Sequence, residues 1–508
     1  MMRRNGTSGA PDPSGVPQTS DSPEAVEAVR EALDACGAPG EPPADNPWKS
    51  LFHDRLCDRA LPAVIWDGTI TPAASLWTGS RLWTQAFRRG GLEAGDRLVL
   101  ALPMNTTFVQ VLVAAMWQGC TVCLLPPSAD VETALETLDA RAAVTTDAGP
   151  YVWTPEGYSG PKTTPDALRP AKTERTPDVR FLLQTSGTTG LARWVALSDR
   201  NVLSVLASHL PHFRLNNGRV LSVLPWTHAF GLVLDLFPAL LAGAEIIRDP
   251  EGGRNPKCLL SLSEAWGSTH LSAVPLTIQR LLDCDGGCRL LTSLQGGIVG
   301  GAPVSGSLAK TLRTTRLRVG YGQTEAAPGI TLGEPGVWKA NYLGRPVGCD
   351  VRVAENGELL FEGPNACVGF WDDGRLHRVD PTRTVHTGDL VRREGDDLFF
   401  SGRTDDAFKL SNGRLVQPGP WEAAVKDRFP SLRDALLFTH DGTDLTLALC
   451  PSPDASSLPA ETDVRDVLSP IAARLAHITT VDPTAWSSSP KGAVDRTAMI
   501  EKLASNSS

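Results

Sequence analysis

The residues most readily read as chemistry lie in one run, Phe181-Leu-Leu-Gln-Thr-Ser-Gly-Thr-Thr-Gly190. An apolar strand leads into hydroxyl side chains and glycines: Thr185, Ser186, Gly187, Thr188, Thr189 and Gly190. Glycines let backbone N–H groups approach phosphate oxygens closely, and the hydroxyls add donors. No Gly-Lys-Ser/Thr closes the loop, so it is not a Walker loop. Taken alone, the run also reads as an ordinary polar turn. The ten cysteines offer less. Cys120 and Cys123 form a C-x-x-C, but inside the apolar run Gly119–Leu125; Cys284 and Cys288 lack a His or Cys pair to complete a zinc set. They read as buried free thiols of a reducing compartment.

Further motifs follow the loop in order. Arg193, Val195, Leu197-Ser198 and Arg200-Asn201 continue it. Then come Pro225-Trp-Thr-His228-Ala-Phe-Gly231, Gly300-Gly301-Ala302-Pro303, Tyr321-Gly322-Gln323-Thr324-Glu325, His386-Thr387-Gly388-Asp389 and Gly402-Arg403-Thr404-Asp405-Asp406-Ala-Phe-Lys409. Together they resemble the signatures of the ANL superfamily: acyl- and aryl-CoA synthetases, peptide-synthetase adenylation domains and luciferases. The resemblance covers residues 48 to 500.

That resemblance implies roles. The loop Thr185–Gly190, with Arg193 in the place of the usual lysine, holds the β- and γ-phosphates of ATP. Gly300, Gly301, Ala302 and Pro303 line the adenine, and Tyr321, beside Gly322, stacks on it. Asp389 accepts the ribose hydroxyls, with Arg403 nearby. Thr324 donates to the α-phosphate. Glu325 ligates Mg²⁺, since a hard cation bridging phosphates takes carboxylate oxygen. His228 belongs in the acid pocket; beside Trp226 and Phe230 it reads equally as a packed core side chain. Asp405 is the hinge about which a small domain turns between adenylation and transfer.

The C-terminal stretch departs from the family pattern. The usual catalytic lysine falls on Ala493 when Ser489-Pro490-Lys491-Gly492-Ala493-Val494-Asp495-Arg496 is anchored on Gly492 and Val494–Arg496, and on Arg496 when it is anchored on Pro490-Lys491. Lys491 is the nearest substitute, acting through a shifted loop. Pro420 stands where the family has Glu, which alters the face that meets a thiol partner. The leading expectation is adenylation of a small aryl or modest apolar acid, then transfer, with coenzyme A as acceptor. Transfer to a carrier protein, adenylation of nitrite with transfer to an aryl amine, and weakly active nucleotide binding stay open.

These residues need a scaffold. Apolar strands Arg97–Leu102 and Thr121–Leu125 flank a helix, Thr106–Gln118, and strand signals recur at Phe181–Gln184, Arg219–Leu224, Glu245–Ile247 and Leu317–Val319. Such alternation predicts a parallel α/β sheet. After about Gly344 short strands separated by Asn-Gly and Gly-Asp turns predict hairpins. A small α/β unit follows, with helices over Pro420–Phe429 and Asp463–Ala476. The fold class expected is α/β, a large N-terminal body of mixed α/β subdomains with a small mobile C-terminal α+β lid domain. The expected divisions are 1–45, a disordered tail with a short helix over Pro23–Ala35 capped by Ser22; 46–403, the body; and 404–508, the lid. A net charge of −9 argues against a nucleic-acid partner. The absence of a signal peptide or membrane span predicts a cytoplasmic protein.

Overall fold

The computed structural model describes residues 23–36, 45–57, 64–157, 160–185, 193–429, 431–452, 455, 457–487 and 494–505. The first strand–helix–strand unit forms for local reasons. Strands Arg97–Ala101 and Thr121–Leu124 are buried along their whole length and pair in parallel, as continuous apolar runs do in a sheet covered on both faces. The intervening helix, Thr106–Gln118, starts at Asn105, whose side chain accepts from the Phe108 N–H, and stops at Gly119. These strands sit in a nine-stranded sheet with Phe181–Thr185 and Arg193–Leu197. The latter two form an antiparallel hairpin, Phe181 opposite Leu197 and Thr185 opposite Arg193.

The open end of that hairpin is clamped by charge. Arg180 and Asp199, at 2% and 4% exposure, make a bidentate pair at 2.7 and 2.9 Å. Trp48 Nε1 donates to the same carboxylate at 2.5 Å, and Arg180 also donates to the Cys120 carbonyl at 2.8 Å. All three Arg180 nitrogens and both Asp199 oxygens are thus engaged, which is what a buried ion pair needs.

A second sheet of eight strands carries the later motifs. Strand Tyr342–Pro346 changes partner along its length. Pro346 and Arg345 pair with Thr331 and Leu332, whereas Tyr342 and Gly344 pair with Phe399 and Leu398. The sheet therefore folds over at this strand. Residues from Phe408 onward build two further small sheets, of two and three strands. Their apolar clusters centre on Val425, Leu437 and Leu447, and on Leu436, Phe438 and Met499.

The short helix expected within the tail forms over Pro23–Asp34 and buries Ala25, Val26, Val29 and Ala32 against the body. That apolar stripe outweighs the polar composition around it. Its expected cap, Ser22, lies outside the described residues. The helix expected over Asp463–Ala476 covers only Glu461–Val467, and Leu475–Thr480 is a strand paired in parallel with Leu445–Pro451. Pro470 cannot continue a helix and disfavours helical geometry at Ser469.

Asp199→Ala leaves the Arg180 guanidinium buried without its counter-charge. Its stability should fall by about 3–5 kcal/mol, read as a lower urea midpoint.

Candidate active site

The candidate site is built on two parallel strands, Ile298–Gly300 and Arg318–Tyr321, in register Ile298 to Arg318 and Gly300 to Gly320. The first runs into Gly301-Ala302-Pro303 and the second into Gly322. A side chain at position 322 would put its Cβ 1.5 Å from the Pro328 carbonyl oxygen, so only glycine fits this fold-back. The chain makes a 3-10 turn at Thr324–Ala326, and the Ile330 N–H donates to the Tyr321 carbonyl at 3.1 Å. Thr324 and Glu325 are thus presented half-buried at the tip. The Cys367 N–H donates to the Glu325 carbonyl at 2.9 Å and leaves its carboxylate uncommitted to that contact.

The Tyr321 hydroxyl donates to Asp389 Oδ2 at 2.7 Å, and Arg403 Nη1 donates to Oδ1 at 2.8 Å. Asp389 sits opposite Arg403 in the antiparallel pair of Val385–Glu394 with Asp397–Arg403. Gly388, at φ +70, turns the carboxylate inward, a conformation that suits glycine. Thr387 Oγ1 donates to the Leu359 carbonyl, and Glu358 accepts from the Gly388 N–H. Burial raises the Asp389 carboxyl above its ordinary pKa, with Arg403 and Tyr321 pulling the other way and Glu325 adding to the rise. Burial and the Asp389 charge raise the Tyr321 hydroxyl well above its own. The motif residues of three separate segments therefore meet at one carboxylate.

Trp226 is fully buried, and the backbone turns at His228 into the helical residues Ala229–Gly231. The His228 side chain is exposed, not packed in the core, so the packed alternative for this residue is excluded. Thr185 and Arg193 stand opposite each other in the hairpin, on either side of the segment expected to meet phosphate. The Arg193 guanidinium lies 4.1 Å from the centre of the Phe370 ring. Ser186, Gly187, Thr188, Thr189 and Gly190 lie outside the described residues.

The model of the AMP-binding enzyme family matches residues 59–371. The chain belongs to that family. It is an adenylate-forming enzyme of the ANL superfamily, as its motifs imply. A feruloyl-CoA synthase of Amycolatopsis is 27% identical over 407 residues, 71% of this chain and 79% of that protein. A 3-[(3aS,4S,7aS)-7a-methyl-1,5-dioxo-octahydro-1H-inden-4-yl]propanoyl:CoA ligase of Mycobacterium tuberculosis is 31% identical over 272 residues. That match spans 51% of this chain and 53% of the ligase, about half the relative's length. The ATP-bound structure of MatB from Rhodopseudomonas palustris shares the fold at 20% identity, with a TM-score of 0.72 over 89% of this chain and 98% of that one.

The small C-terminal unit of this family member separates the two candidate cations. Arg496 Nη1 bonds Glu422 at 2.7 Å, Nη2 donates to the Leu437 carbonyl at 2.8 Å, and Nε lies 3.5 Å from Asp406. All three nitrogens are committed inside the small unit, so Arg496 does not stand in for the missing lysine in this arrangement. Lys491 lies outside the described residues. Asp405 falls in the 3-10 turn Thr404–Asp406. Thr404 Oγ1 donates to the Gly388 carbonyl at 3.2 Å, and Asp406 faces Arg496. The turn is held by the body on one side and the small unit on the other.

One polar group was not picked out from the motifs. Asp235 sits in a π-helical turn, Leu232–Leu236, and accepts from Ser222 Oγ at 2.5 Å. Trp226 and Arg248 also meet Ser222, at 3.0 and 3.3 Å. A lone carboxylate inside Leu232-Val-Leu-Asp-Leu-Phe237 was the available signal.

Asp389→Ala removes the acceptor shared by Tyr321 and Arg403. AMP affinity measured by calorimetry should fall roughly 10- to 100-fold, the loss of one or two charge-assisted hydrogen bonds.

Proposed function

We propose that the chain uses ATP and Mg²⁺ to adenylate a small carboxylic acid, aryl or modest apolar, and then passes the acyl group to the thiol of coenzyme A. The observation that carries this reading is the convergence on Asp389. A buried carboxylate held by Tyr321 and Arg403 is an acceptor suited to ribose hydroxyls, and it stands beside the turn carrying Thr324 and Glu325.

In the reaction a substrate carboxylate oxygen attacks the α-phosphorus in line. The bond to the bridging oxygen breaks and pyrophosphate leaves. Thr324 donates to the α-phosphate, and Arg193 meets the phosphates with its guanidinium plane steadied on Phe370. Glu325 fits Mg²⁺, which takes one or two carboxylates and fills its remaining positions with phosphate oxygens and water. Among the described residues no group of three His, Cys, Asp or Glu forms a complete metal site, as suits an ion carried largely by its nucleotide. When bound, the ion neutralises charge on the leaving pyrophosphate. His228, exposed at the head of its helical segment, is the residue assigned to the acid carboxylate in this reading.

The body of 46–403 holds both substrates and the unit of 404–508 closes over them about Asp405. The contacts of Thr404 with Gly388 and of Asp406 with Arg496 support this turn as the joint. With Arg496 committed, Lys491 is the candidate cation for bridging the carboxylate and the α-phosphate. Pro420, third residue of the helix Pro418–Arg428, offers neither charge nor N–H at the thiol-facing position, which favours an acceptor other than coenzyme A as the second reading.

AMP formation measured over a panel of acids tests both readings, with and without coenzyme A, with a carrier protein, and with nitrite plus an aminoarene. The expected result is AMP and a thioester with an aryl or apolar acid and coenzyme A. A coloured azo product with nitrite moves the chain to diazotisation, and no AMP under any condition overturns adenylation. Glu325→Ala should lower turnover at least about 100-fold, and Lys491→Ala by a similar factor. An unchanged rate for the lysine variant would remove Lys491 from the mechanism.

A further inference from the structure

Two antiparallel pairs of the nine-stranded sheet end side by side. In one, Phe181–Thr185 with Arg193–Leu197, Thr185 stands opposite Arg193. In the other, Gly369–Asp372 with Arg375–Arg378, Asp372 stands opposite Arg375 and Phe370 opposite His377. The two pairs are joined because Gly369–Asp372 also lies antiparallel to Arg193–Leu197, Phe370 opposite Val195 and Trp371 opposite Trp194. Gly369–Asp372 therefore runs toward the level of Arg193, and its turn at Asp373-Gly374 falls at the end of the sheet where Thr185 and Arg193 stand. Arg375, the first residue after that turn, lies two strands from Arg193, a backbone separation of about 10 Å.

Alternate residues of a strand share a face, and so do residues directly opposite each other. Thr185, Arg193, Phe370, Arg375 and His377 therefore lie on one face, with Trp194 and Trp371 in the core on the other. The Arg193 guanidinium leans across to the Phe370 ring, 4.1 Å from its centre. From the other side Arg375 Nε donates to Nε2 of His377, the cross-strand partner of Phe370, at 3.2 Å. Both arginines are exposed, and neither forms an ion pair among the described residues. Arg375 spends only Nε on His377, which leaves Nη1 and Nη2. Asp372, on the same face, accepts from the Asp373 N–H at 3.1 Å and pairs with neither arginine. On the opposite face Arg378 is spent on Asp178, at 2.7 Å. The hairpin thus ties down the arginine that faces the body and leaves open the one that faces the phosphate side. A guanidinium fork with two free donors is matched to phosphate oxygens.

We infer, resting on the adenylation proposed above, that Arg375 binds the outer phosphates of ATP and the pyrophosphate that leaves, facing Arg193 across Phe370, and that His377 positions it. Two fixed guanidinium groups on the far side of the tail from Thr185 meet charge where it gathers on the leaving group. AMP ends at the α-phosphate and has nothing to offer this pair. The 3′-phosphate of coenzyme A presents the same oxygens from a different source.

Calorimetric titration with ATP, pyrophosphate and AMP, each with Mg²⁺, supplies the test for wild type, Arg375→Ala, Arg375→Lys, His377→Ala and His377→Gln. Arg375→Ala should weaken ATP and pyrophosphate about 10-fold, the loss of a charge-assisted contact, and leave AMP unchanged. Lysine keeps the charge and should recover most of that loss. His377→Ala should weaken ATP by a smaller factor, and glutamine, whose amide oxygen accepts the same N–H, should restore it. In turnover by Arg375→Ala the KM for ATP should rise while that for the acid does not. Equal ATP affinity in wild type and Arg375→Ala overturns the inference, as does an equal loss for ATP and AMP. Coenzyme A is compared with its 3′-dephospho form in the same variants. A rise in KM confined to coenzyme A, with ATP unchanged, gives the arginine to that phosphate and also overturns the inference. Should no acid yield AMP, the adenylation reading fails, and the affinities for ATP, pyrophosphate and AMP still decide this one.

Discussion

A single buried carboxylate sets the geometry on which the site depends. Asp389 is 7% exposed, and a carboxylate so far from water must be hydrogen-bonded to stay there. One oxygen is met by Arg403 on the adjacent strand. The other is met by Tyr321, four strands away in the sheet order. In a flat sheet four steps would separate the two backbones by about 19 Å, beyond the reach of a tyrosine and an aspartate. The sheet must therefore fold over, and it does so at Tyr342–Pro346, where the strand trades one partner for another. Motifs 68 residues apart become one surface as a result.

The same rule, that a buried charge needs donors on every side, recurs wherever the chain joins its parts. Arg180 and Asp199 clamp the hairpin that carries the phosphate loop. Arg496 and Glu422, with Asp406, knit the last helix of the small unit to the turn that links it to the body. In each case the planar guanidinium fork fixes direction as well as charge. A side chain locked in this way cannot also swing across to a phosphate, which is why the registration of two basic residues near the C-terminus matters to the chemistry.

Asp235 breaks the rule. It has an arginine nearby and a serine in hand, yet one buried oxygen has no donor among the described residues. The π-helical turn that holds it belongs to a kind of backbone irregularity found often at functional sites. Satisfied carboxylates thus hold the fold together, while Asp235 keeps one oxygen without a donor among the described residues.

Much of this molecule is written in short windows of sequence. The helix Thr106–Gln118 has its Asn cap and terminal glycine, the strands their unbroken apolar runs, and the nucleotide motifs their glycines and hydroxyls. Such signals act over a few residues, through backbone sterics and local hydrogen bonds, so they can be read without the fold. One window misled: a helical pattern ran through Pro470 into what is a strand. What only tertiary structure decided are contacts between distant side chains: Tyr321 with Asp389, Arg496 with Glu422 and Asp406, and His228 at the surface while Trp226 is buried. These depend on which strands pair and where a sheet bends, and no local pattern of residue types specifies a register between segments that meet only once the chain has folded.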